Sequence, residues 1–325
     1  MPPSAGTSLK PVKKMPAPKS LPRIGASDLT RDLDLSQDEL LALLDLTQQV
    51  KSSPARFSKV LTGRYLSLLF EKPSLRTRLT FELAIKQLGG DAVLTVGPIG
   101  DREPLKDVAR NLDRWTNCMV ARTFSQTTID ELAHWSSVPV INALSDRFHP
   151  CQALADVFTL QEKFPDVRGL KLAYLGDGNN VANSLMLTAL RLGINLAIAT
   201  PAGYEPDPEV VAQAEALAAV GGAQLLITND PIAAARDAHA VYTDVWASMG
   251  QEHQKEKRLA DFAPYQVNRT ILGQAAPEAL FLHCLPAKRG EEVTDEVIES
   301  SQSAVFDQAE NRLHVQKALL LMLIS

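Results

Sequence analysis

The chain has 325 residues, of which 45% are hydrophobic, and a formal net charge of −5. This length predicts two domains, each large enough to bury its own core, because a single core rarely grows to such a size. The acidic balance argues against a general nucleic-acid binder, and the lack of an apolar run near the roughly 20 residues that span a bilayer argues against a membrane-embedded protein.

Residues 1–27 are rich in proline and lysine and contain no acidic residue. Such a composition cannot form an amphipathic helix of useful length, so we interpret this segment as a disordered tail. A transit peptide is the alternative, but the prolines interrupt the helix that it would need and arginine is almost absent.

The first predicted helix begins at Ser36. Ser36 and Glu39 have the spacing of a capping box, and the leucines that follow recur at helical spacing. We interpret this helix as part of the scaffold.

Residues 65–86 combine an apolar strand, a polar turn and a helix. Ser74 has the position of the helix N-cap, so the free N–H groups of the first turn point at one spot, and such a spot binds anions. The guanidinium groups of Arg76 and Arg78 match phosphate, and the hydroxyls of Ser74 and Thr77 add donors. The turn predicts a phosphate site; the alternative is a capped helix with solvated arginines, and other motifs must decide between the two.

A strand, DAVLTV, and a polar loop follow this helix, and another helix is predicted from Asp107. The next apolar strand ends in Arg122. This position is the carboxyl end of a strand, where open α/β sheets bind ligands, so Arg122 is a second candidate anion clamp.

A further strand precedes the sequence HPCQALAD, in which His149 and Pro150 open a helix and Gln152 follows one turn in. Both side chains can face one pocket. A lone histidine before a helix is more often a cap than a catalyst, but the neighbouring proline and glutamine favour a functional role.

From residue 171 the pattern is strand, glycine turn, helix and strand, which is typical of a doubly wound α/β domain. The turn, GDGNN, lacks the third glycine of a dinucleotide fingerprint, so NAD binding is not expected. Two more parallel strands follow, and a polar loop, DVWASMGQE, begins at Asp244. A last buried strand ends in Cys284 and Pro286, a helix starts from Thr294, and the terminal helix is long enough to cross between domains.

The phosphate turn, HPCQALAD, GDGNN, DVWASMGQE and HCLPAKRGEE occur here in the order found in ornithine carbamoyltransferases. From about Leu35 to its end, the chain resembles this family, part of the aspartate/ornithine carbamoyltransferase superfamily. The order of five motifs is far more specific than any one of them.

The resemblance implies a set of ligands for carbamoyl phosphate. The backbone amides of the phosphate turn would bind the phosphate, Arg122 and His149 would polarise the carbamoyl oxygen, and Arg78 would brace the turn. The family usually has threonine where this chain has Leu75, so one hydroxyl contact is absent. The implied ligands are Ser74, Leu75, Arg76, Thr77, Arg122, His149, Gln152, Cys284, Leu285 and Arg312.

For ornithine the resemblance implies Asn180, Asp244, Ser248 and Met249. Together with Arg122 and His149, Cys284 is assigned to catalysis, as a residue that positions the side-chain amine. We do not expect a nucleophilic thiolate, because the adjacent His283 should point to the opposite face of the strand.

The expected fold is α/β, with two doubly wound parallel-sheet domains joined by helices and a C-terminal helix that returns to the first domain. The expected segments are the tail 1–27, a carbamoyl-phosphate-binding domain at 28–165, an ornithine-binding domain at 166–308 and the returning helix at 309–325.

The expected activity is transfer of the carbamoyl group from carbamoyl phosphate to the side-chain amine of L-ornithine, which gives L-citrulline in arginine metabolism. The alternatives are a carbamoyltransferase for putrescine, N-acetylornithine or aspartate, and a noncatalytic carbamoyl-phosphate-binding protein. The scheme demands no metal or organic cofactor, and the sequence shows none of the common metal-ligand spacings.

Three widely separated cysteines, Cys118, Cys151 and Cys284, fit neither a disulfide framework nor a zinc cluster, so a reducing cytoplasm is expected. The resemblance further implies a homotrimer with the site near a subunit boundary. No nucleic acid or membrane partner is expected.

Overall fold

The structure is a computed structural model that describes residues 20–247 and 254–325. Two predicted ornithine ligands, Ser248 and Met249, lie outside the described residues, as do residues 1–19. In the described part no helix is long and apolar enough to cross a membrane. The strands there are Tyr65–Phe70 (β1), Asp91–Val96 (β2), Cys118–Arg122 (β3), Val140–Leu144 (β4), Lys171–Leu175 (β5), Asn195–Ala199 (β6), Leu225–Thr228 (β7), Ala240–Thr243 (β8) and Leu280–His283 (β9).

The α-helices alternate with these strands, as the sequence pattern predicts for parallel sheets. They are Gln37–Ser52 (α1), Leu75–Gln87 (α2), Leu105–Leu112 (α3), Gln126–Trp135 (α4), Pro150–Lys163 (α5), Asn180–Arg191 (α6), Pro208–Gly221 (α7), Pro231–Ala235 (α8), Lys255–Phe262 (α9), Arg269–Leu272 (α10), Asp295–Ile298 (α11) and Val305–Ile324 (α12).

The strands form two sheets, which confirms the prediction of two parallel α/β domains. The first has the order β2-β1-β3-β4 and the second the order β7-β6-β5-β8-β9. All strand pairs within these sheets are parallel. The strand order reverses between β1 and β3 and between β5 and β8. Open sheets of this kind bind ligands at such points, outside the carboxyl ends of their strands.

Central strands are apolar because both of their faces are covered by helices. Every residue of β3 is buried, whereas the edge strand β2 is largely exposed. The joining helix α5 is buried over its first eleven residues, and α6 is buried from Val181 onward. These two helices pack on each other and connect the domains.

The C-terminal helix α12 packs against α1, α2 and α5, all from the first half of the chain. One continuous hydrophobic core includes Leu40 of α1, Phe81 of α2, Leu154 of α5 and Leu319 of α12. The chain therefore closes back on its first domain, and α12 approaches the phosphate turn that begins α2.

The predicted disordered tail extends too far. Within the described residues, Leu21 and Ile24 pack against the core, and the backbone N–H of Ile24 donates to Met322 at 3.4 Å. The guanidinium of Arg23 donates to the carbonyl of Ser325 at 2.9 Å. Residues 20–27 are thus attached to the end of α12, where apolar side chains compensate for the unfavourable composition.

Two element boundaries also differ from the sequence prediction. The helix expected from Asp107 begins at Leu105, directly after a proline, and the last strand ends at His283 rather than at Cys284. The capping box at the start of α1 is confirmed: Ser36 accepts from the backbone N–H of Glu39, whose carboxylate accepts from the N–H of Ser36.

Candidate active site

A cleft of about 880 Å³ lies between the two sheets, at the carboxyl ends of their strands. It contains residues of every motif identified in the sequence that the structure describes. Among the residues that line it are Lys72, Ser74, Leu75, Arg76, Thr77, Arg122, His149, Asn179, Asn180, Asp244, Cys284, Leu285 and Arg312.

The phosphate turn forms one wall of this cleft. Ser74 is the N-cap residue of α2, with extended backbone, but its side chain makes no capping hydrogen bond. The N–H groups of the first turn therefore remain open to an anion. Arg76 lines the cleft, whereas Arg78 is exposed and faces Glu82 at 3.9 Å. The predicted contrast between a binding Arg76 and a bracing Arg78 fits this placement.

Three guanidinium groups line the cleft without an ion pair of their own in the described part of the chain. Within the described residues, Arg76, Arg122 and Arg312 form no ion pair, and the Nε atoms of Arg122 and Arg312 have no hydrogen-bond partner. Burial, and then the charge of Arg312, lower the pKa of Arg122 to about 10. Uncompensated buried charge is costly, so this arrangement is suited to a multiply charged anion.

His149 ends the loop before α5 and is 4% exposed. Its backbone N–H donates to Ser184 Oγ at 2.8 Å, which ties it to α6 of the second domain. Burial, followed by the charges of Arg312 and Arg122, lowers the pKa of His149 well below its ordinary value. The imidazole is therefore neutral near pH 7, and its buried Nδ1 has no hydrogen-bond partner among the described residues.

Gln152 lies behind His149 on α5, and it is 1% exposed rather than part of the cleft wall. Its amide nitrogen donates to Asp156 Oδ1 at 2.8 Å. Its Oε1 is buried and has no hydrogen-bond partner in the part of the chain that the structure describes. Gln152 is therefore adjacent to the cleft, with one acceptor atom unsatisfied.

The opposite wall carries the residues predicted for the amino acid. Asp244 Oδ1 accepts from the Cys284 thiol at 3.0 Å, and its Oδ2 accepts from Asn179 Nδ2 at 3.0 Å. Asn180 Nδ2 donates to the carbonyl of Ser145 at 2.6 Å, which leaves its side-chain oxygen available. An acid, a thiol and amides are thus grouped across the cleft from the arginines.

Cys284 is held as a thiol. Burial and the adjacent charge of Asp244 raise its pKa well above the ordinary value, which is the opposite of what activates a nucleophile. The expectation that His283 points to the opposite face depended on strand alternation, but β9 ends at His283, and a ring nitrogen of His283 lies within 4.8 Å of the Cys284 sulfur. His283 cannot act as the base for another reason: Nδ1 accepts from the N–H of Leu285, and Nε2 faces Glu292 at 3.1 Å.

One ligand atom from each of Asp244, His283 and Cys284 lies within 4.8 Å of the other two. This spacing is compatible with a metal ion. Each of these side chains is nevertheless already hydrogen-bonded, to Asn179, to Glu292 and Leu285, and to Asp244 respectively. The three therefore form a satisfied polar group without an ion.

Several residues near the cleft were missed by sequence reasoning. Lys72 lines the cleft with its amine 4.4 Å from the centre of the Phe124 ring. Asp156 follows Gln152 by four residues, so helical spacing could have paired them. Asn179 precedes the predicted Asn180 and reaches Asp244 as the N-cap residue of α6. No sequence signal pairs His283 with Glu292, since the contact depends on how the loop folds.

The chain matches family models over both halves. Residues 27–162 match "Aspartate/ornithine carbamoyltransferase, carbamoyl-P binding domain", and residues 168–323 match "Aspartate/ornithine carbamoyltransferase, Asp/Orn binding domain".

Similar proteins cover nearly the whole chain. The ornithine carbamoyltransferase of Nostoc punctiforme is 51% identical over 302 residues, 91% of this chain and 97% of that protein. The enzyme of the same name from Thermus thermophilus is 52% identical over 290 residues, 88% of this chain and 93% of that protein. The solved structure of ornithine carbamoyltransferase from Pyrococcus furiosus superposes with a TM-score of 0.89 at 45% identity, covering 92% of this chain and 97% of that one.

Proposed function

The chain belongs to the aspartate/ornithine carbamoyltransferase family, and from that premise we propose that it transfers the carbamoyl group of carbamoyl phosphate to the side-chain amine of L-ornithine, giving L-citrulline and phosphate. One observation carries the proposal. A single cleft presents an unpaired arginine cluster on one wall and the Asp244–Cys284 pair on the other.

The arginine wall is suited to the phosphate. The first turn of α2 and the guanidinium groups of Arg76 and Arg122 line the same cleft, and Arg312 adds a third cation. In the reaction the C–O bond to phosphate breaks and the leaving phosphate retains the electron pair. Fixed cations stabilise this charge as it develops, and they require no reorganisation to do so.

The carbamoyl oxygen gains negative charge when the amine attacks its carbon. Arg122 and the neutral imidazole of His149 are the donors placed for that oxygen, since both line the cleft beside the phosphate turn. A neutral imidazole polarises the carbonyl through a hydrogen bond and competes less with Arg122 than an imidazolium would. Together they would act as an oxyanion hole.

The attacking amine must be uncharged, although the side-chain ammonium of an amino acid is protonated at pH 7. Asp244 and the Cys284 sulfur lie where they can orient this nitrogen, and Asn180 keeps a free amide oxygen for the head group. Ser248 and Met249 remain proposed ligands by family resemblance.

The test is a citrulline assay with purified protein, L-ornithine and carbamoyl phosphate, without added metal. Putrescine, N-acetylornithine and aspartate serve as alternative acceptors in the same assay. Turnover with ornithine that exceeds turnover with each alternative supports the proposal. Faster turnover of another amine, or binding of carbamoyl phosphate without turnover of any amine, refutes it.

We also propose that the protein is a homotrimer. Leu75, Leu79 and Leu83 form a stripe along α2 and are 71%, 44% and 44% exposed, and Val93 and Val96 of the edge strand are more than half exposed nearby. An apolar surface of this kind favours association. It adjoins the phosphate turn, which would place the site near a subunit boundary. Sedimentation equilibrium measures the number of chains.

The free thiols Cys118, Cys151 and Cys284 support a reducing compartment such as the cytoplasm. We propose a role in arginine biosynthesis, because the product of the proposed reaction is citrulline. Loss of growth without arginine after deletion of the gene, restored by supplied citrulline, tests this role.

A further inference from the structure

A series of buried hydrogen bonds connects the backbone of β9 to Gln152. The N–H of His283 donates to Gln308 Oε1 at 2.9 Å, and Gln308 Nε2 donates to Asp156 Oδ1 at 2.6 Å. Gln152 Nε2 donates to the same Oδ1 at 2.8 Å. Gln152, Asp156 and Gln308 are each at most 1% exposed. Three elements, α5, α12 and β9, therefore meet at one carboxylate.

The first hydrogen bond of this series fixes which group donates in each of the others. A backbone N–H can only donate, so Gln308 must turn its oxygen to His283 and its nitrogen to Asp156. Asp156 Oδ1 thus accepts from Gln308, and an ionised carboxylate can only accept, so its second contact must also come from a donor. Gln152 consequently turns its nitrogen to Asp156 and directs its oxygen elsewhere.

This series of hydrogen bonds ends at the side-chain oxygen of Gln152. Gln152 Oε1 is buried, and no group among the described residues donates to it. A buried acceptor without a donor carries a desolvation cost, and a ligand that supplies an N–H removes it. His149, the N-cap residue of α5 and three residues before Gln152, lines the cleft, so the vacant acceptor lies next to the proposed carbamoyl site.

Carbamoyl phosphate carries an NH2 group, whereas acetyl phosphate has a methyl group at the same position and is otherwise similar in shape and charge. We propose that Asp156 is a positioning residue that holds the Gln152 oxygen toward the carbamoyl NH2, so that the site selects carbamoyl phosphate over acyl phosphates without an N–H donor. This inference rests on the proposed carbamoyl transfer and adds a determinant of substrate choice to it.

The experiment compares wild type with Asp156→Leu. Leucine is close to aspartate in size and has no acceptor, so Gln152 loses the partner that fixes its amide. Asparagine would not serve, because its own oxygen can replace Oδ1 and accept from both glutamines. The matched control is Thr159→Val, one turn further along α5. Thr159 is equally buried and accepts from Asn311 of α12 at 3.0 Å, but among the described residues it forms no hydrogen bond with Gln152. For each protein, the KM for carbamoyl phosphate and the inhibition constant of acetyl phosphate are measured at saturating ornithine.

Asp156→Leu is expected to raise the KM for carbamoyl phosphate about tenfold, the size of one lost hydrogen bond, and to leave the inhibition constant of acetyl phosphate within about twofold. Thr159→Val should leave the ratio of the two constants unchanged. A structural role alone would weaken both ligands in parallel, and that result overturns the inference. So does an unchanged ratio in a folded Asp156→Leu protein, as judged by circular dichroism and thermal melting.

Asp156→Ser provides a second variant if Asp156→Leu does not fold, because it removes the carboxylate and leaves a small polar side chain in its place. The same rise is expected in the ratio of the KM for carbamoyl phosphate to the inhibition constant of acetyl phosphate, and an unchanged ratio overturns the inference. Wild-type activity is measured first, which separates two failures. An inactive wild type refutes the proposed function, whereas an active wild type with unaltered selectivity in the variants refutes only the role of Asp156.

Discussion

The guanidinium of Arg312 donates to the hydroxyl of Thr77 at 2.9 Å, although 235 residues separate them. Thr77 belongs to the first turn of α2, and Arg312 lies in the middle third of the last helix, where it is 3% exposed. The phosphate turn is therefore completed by a cation from the far end of the chain. Packing of α12 onto the first domain is what brings the two together.

We expect Arg312→Ala to raise the KM for carbamoyl phosphate at least tenfold, because a buried charge-assisted contact contributes about 1.5–3 kcal/mol. Lys317→Met is the matched control, since Lys317 is a buried cation of the same helix that does not line the cleft. Steady-state kinetics with carbamoyl phosphate varied measures both. Equal effects of the two substitutions would mean that Arg312 only supports the packing of α12.

Arg76→Ala should weaken carbamoyl phosphate binding while the fold survives, because Arg76 lines the cleft and is not a core residue. Arg78→Ala is its control, two residues along the same helix, with its side chain 50% exposed and directed at Glu82. The KM ratio of the two variants and their melting temperatures are the measurements. Unchanged affinity in a folded Arg76→Ala protein would refute its assignment as a phosphate ligand.

Cys284→Ser should retain measurable turnover, with the KM for ornithine changed more than the KM for carbamoyl phosphate. The reason is that the thiol donates to Asp244 and a serine hydroxyl can do the same. Kinetics with each substrate varied, and mass spectrometry of wild type mixed with carbamoyl phosphate alone, check this. A trapped carbamoyl adduct on Cys284, or complete loss of turnover in the folded serine variant, would restore the nucleophile interpretation.

Asp32 should make stability depend on pH. It accepts from Ser184 at 2.6 Å and Thr188 at 3.0 Å, but burial outweighs these bonds and raises its pKa to about 6. Between about pH 4 and pH 6 the native state keeps a proton that the unfolded state loses, so this group makes stability fall as pH rises. By pH 7 the raised pKa of Asp32 lowers the free energy of unfolding by roughly 3 kcal/mol. Arg191 is the cation that faces the same carboxyl.

The measurement is the free energy of unfolding in urea at pH 4 and pH 6. Asp32→Asn should reduce the fall in stability over this range, and the remainder belongs to groups such as Asp156, whose pKa burial raises to about 7. Asp38→Asn, at an exposed position of α1, should leave the fall unchanged. Identical slopes for wild type and Asp32→Asn would contradict the prediction.

Two deletions test the role of residues 20–27. Removal of residues 1–19 should change the melting temperature little, because a proline-rich segment without acids buries little apolar surface. Removal of residues 1–27 should lower it by several degrees, since Leu21 and Ile24 pack on the core and Arg23 binds the end of α12. Calorimetry of the two proteins gives the comparison, and equal melting temperatures would show that these contacts add no stability.

Local patterns predicted much of the architecture. The apolar runs of β3 and β5 predicted buried parallel strands because both faces of such strands are covered, and Ser36 with Glu39 predicted the start of α1 because both partners lie within one helical turn. Predictions were weaker where a contact opposed local composition. The composition of residues 20–27 predicted a disordered tail, yet these residues contact the end of α12.

The sequence by itself determined the fold class, the order of the motifs and the chemical types in the cleft, because periodicity, capping and motif spacing act over a few residues. Only the tertiary structure decided how those groups are used. It showed Asp156 holding the Gln152 amide, His283 occupied by Leu285 and Glu292, and Arg312 reaching Thr77. Such relationships depend on helices and loops far apart in the chain, and the burial that fixes the charge of His149 and Cys284 arises only when both domains pack together.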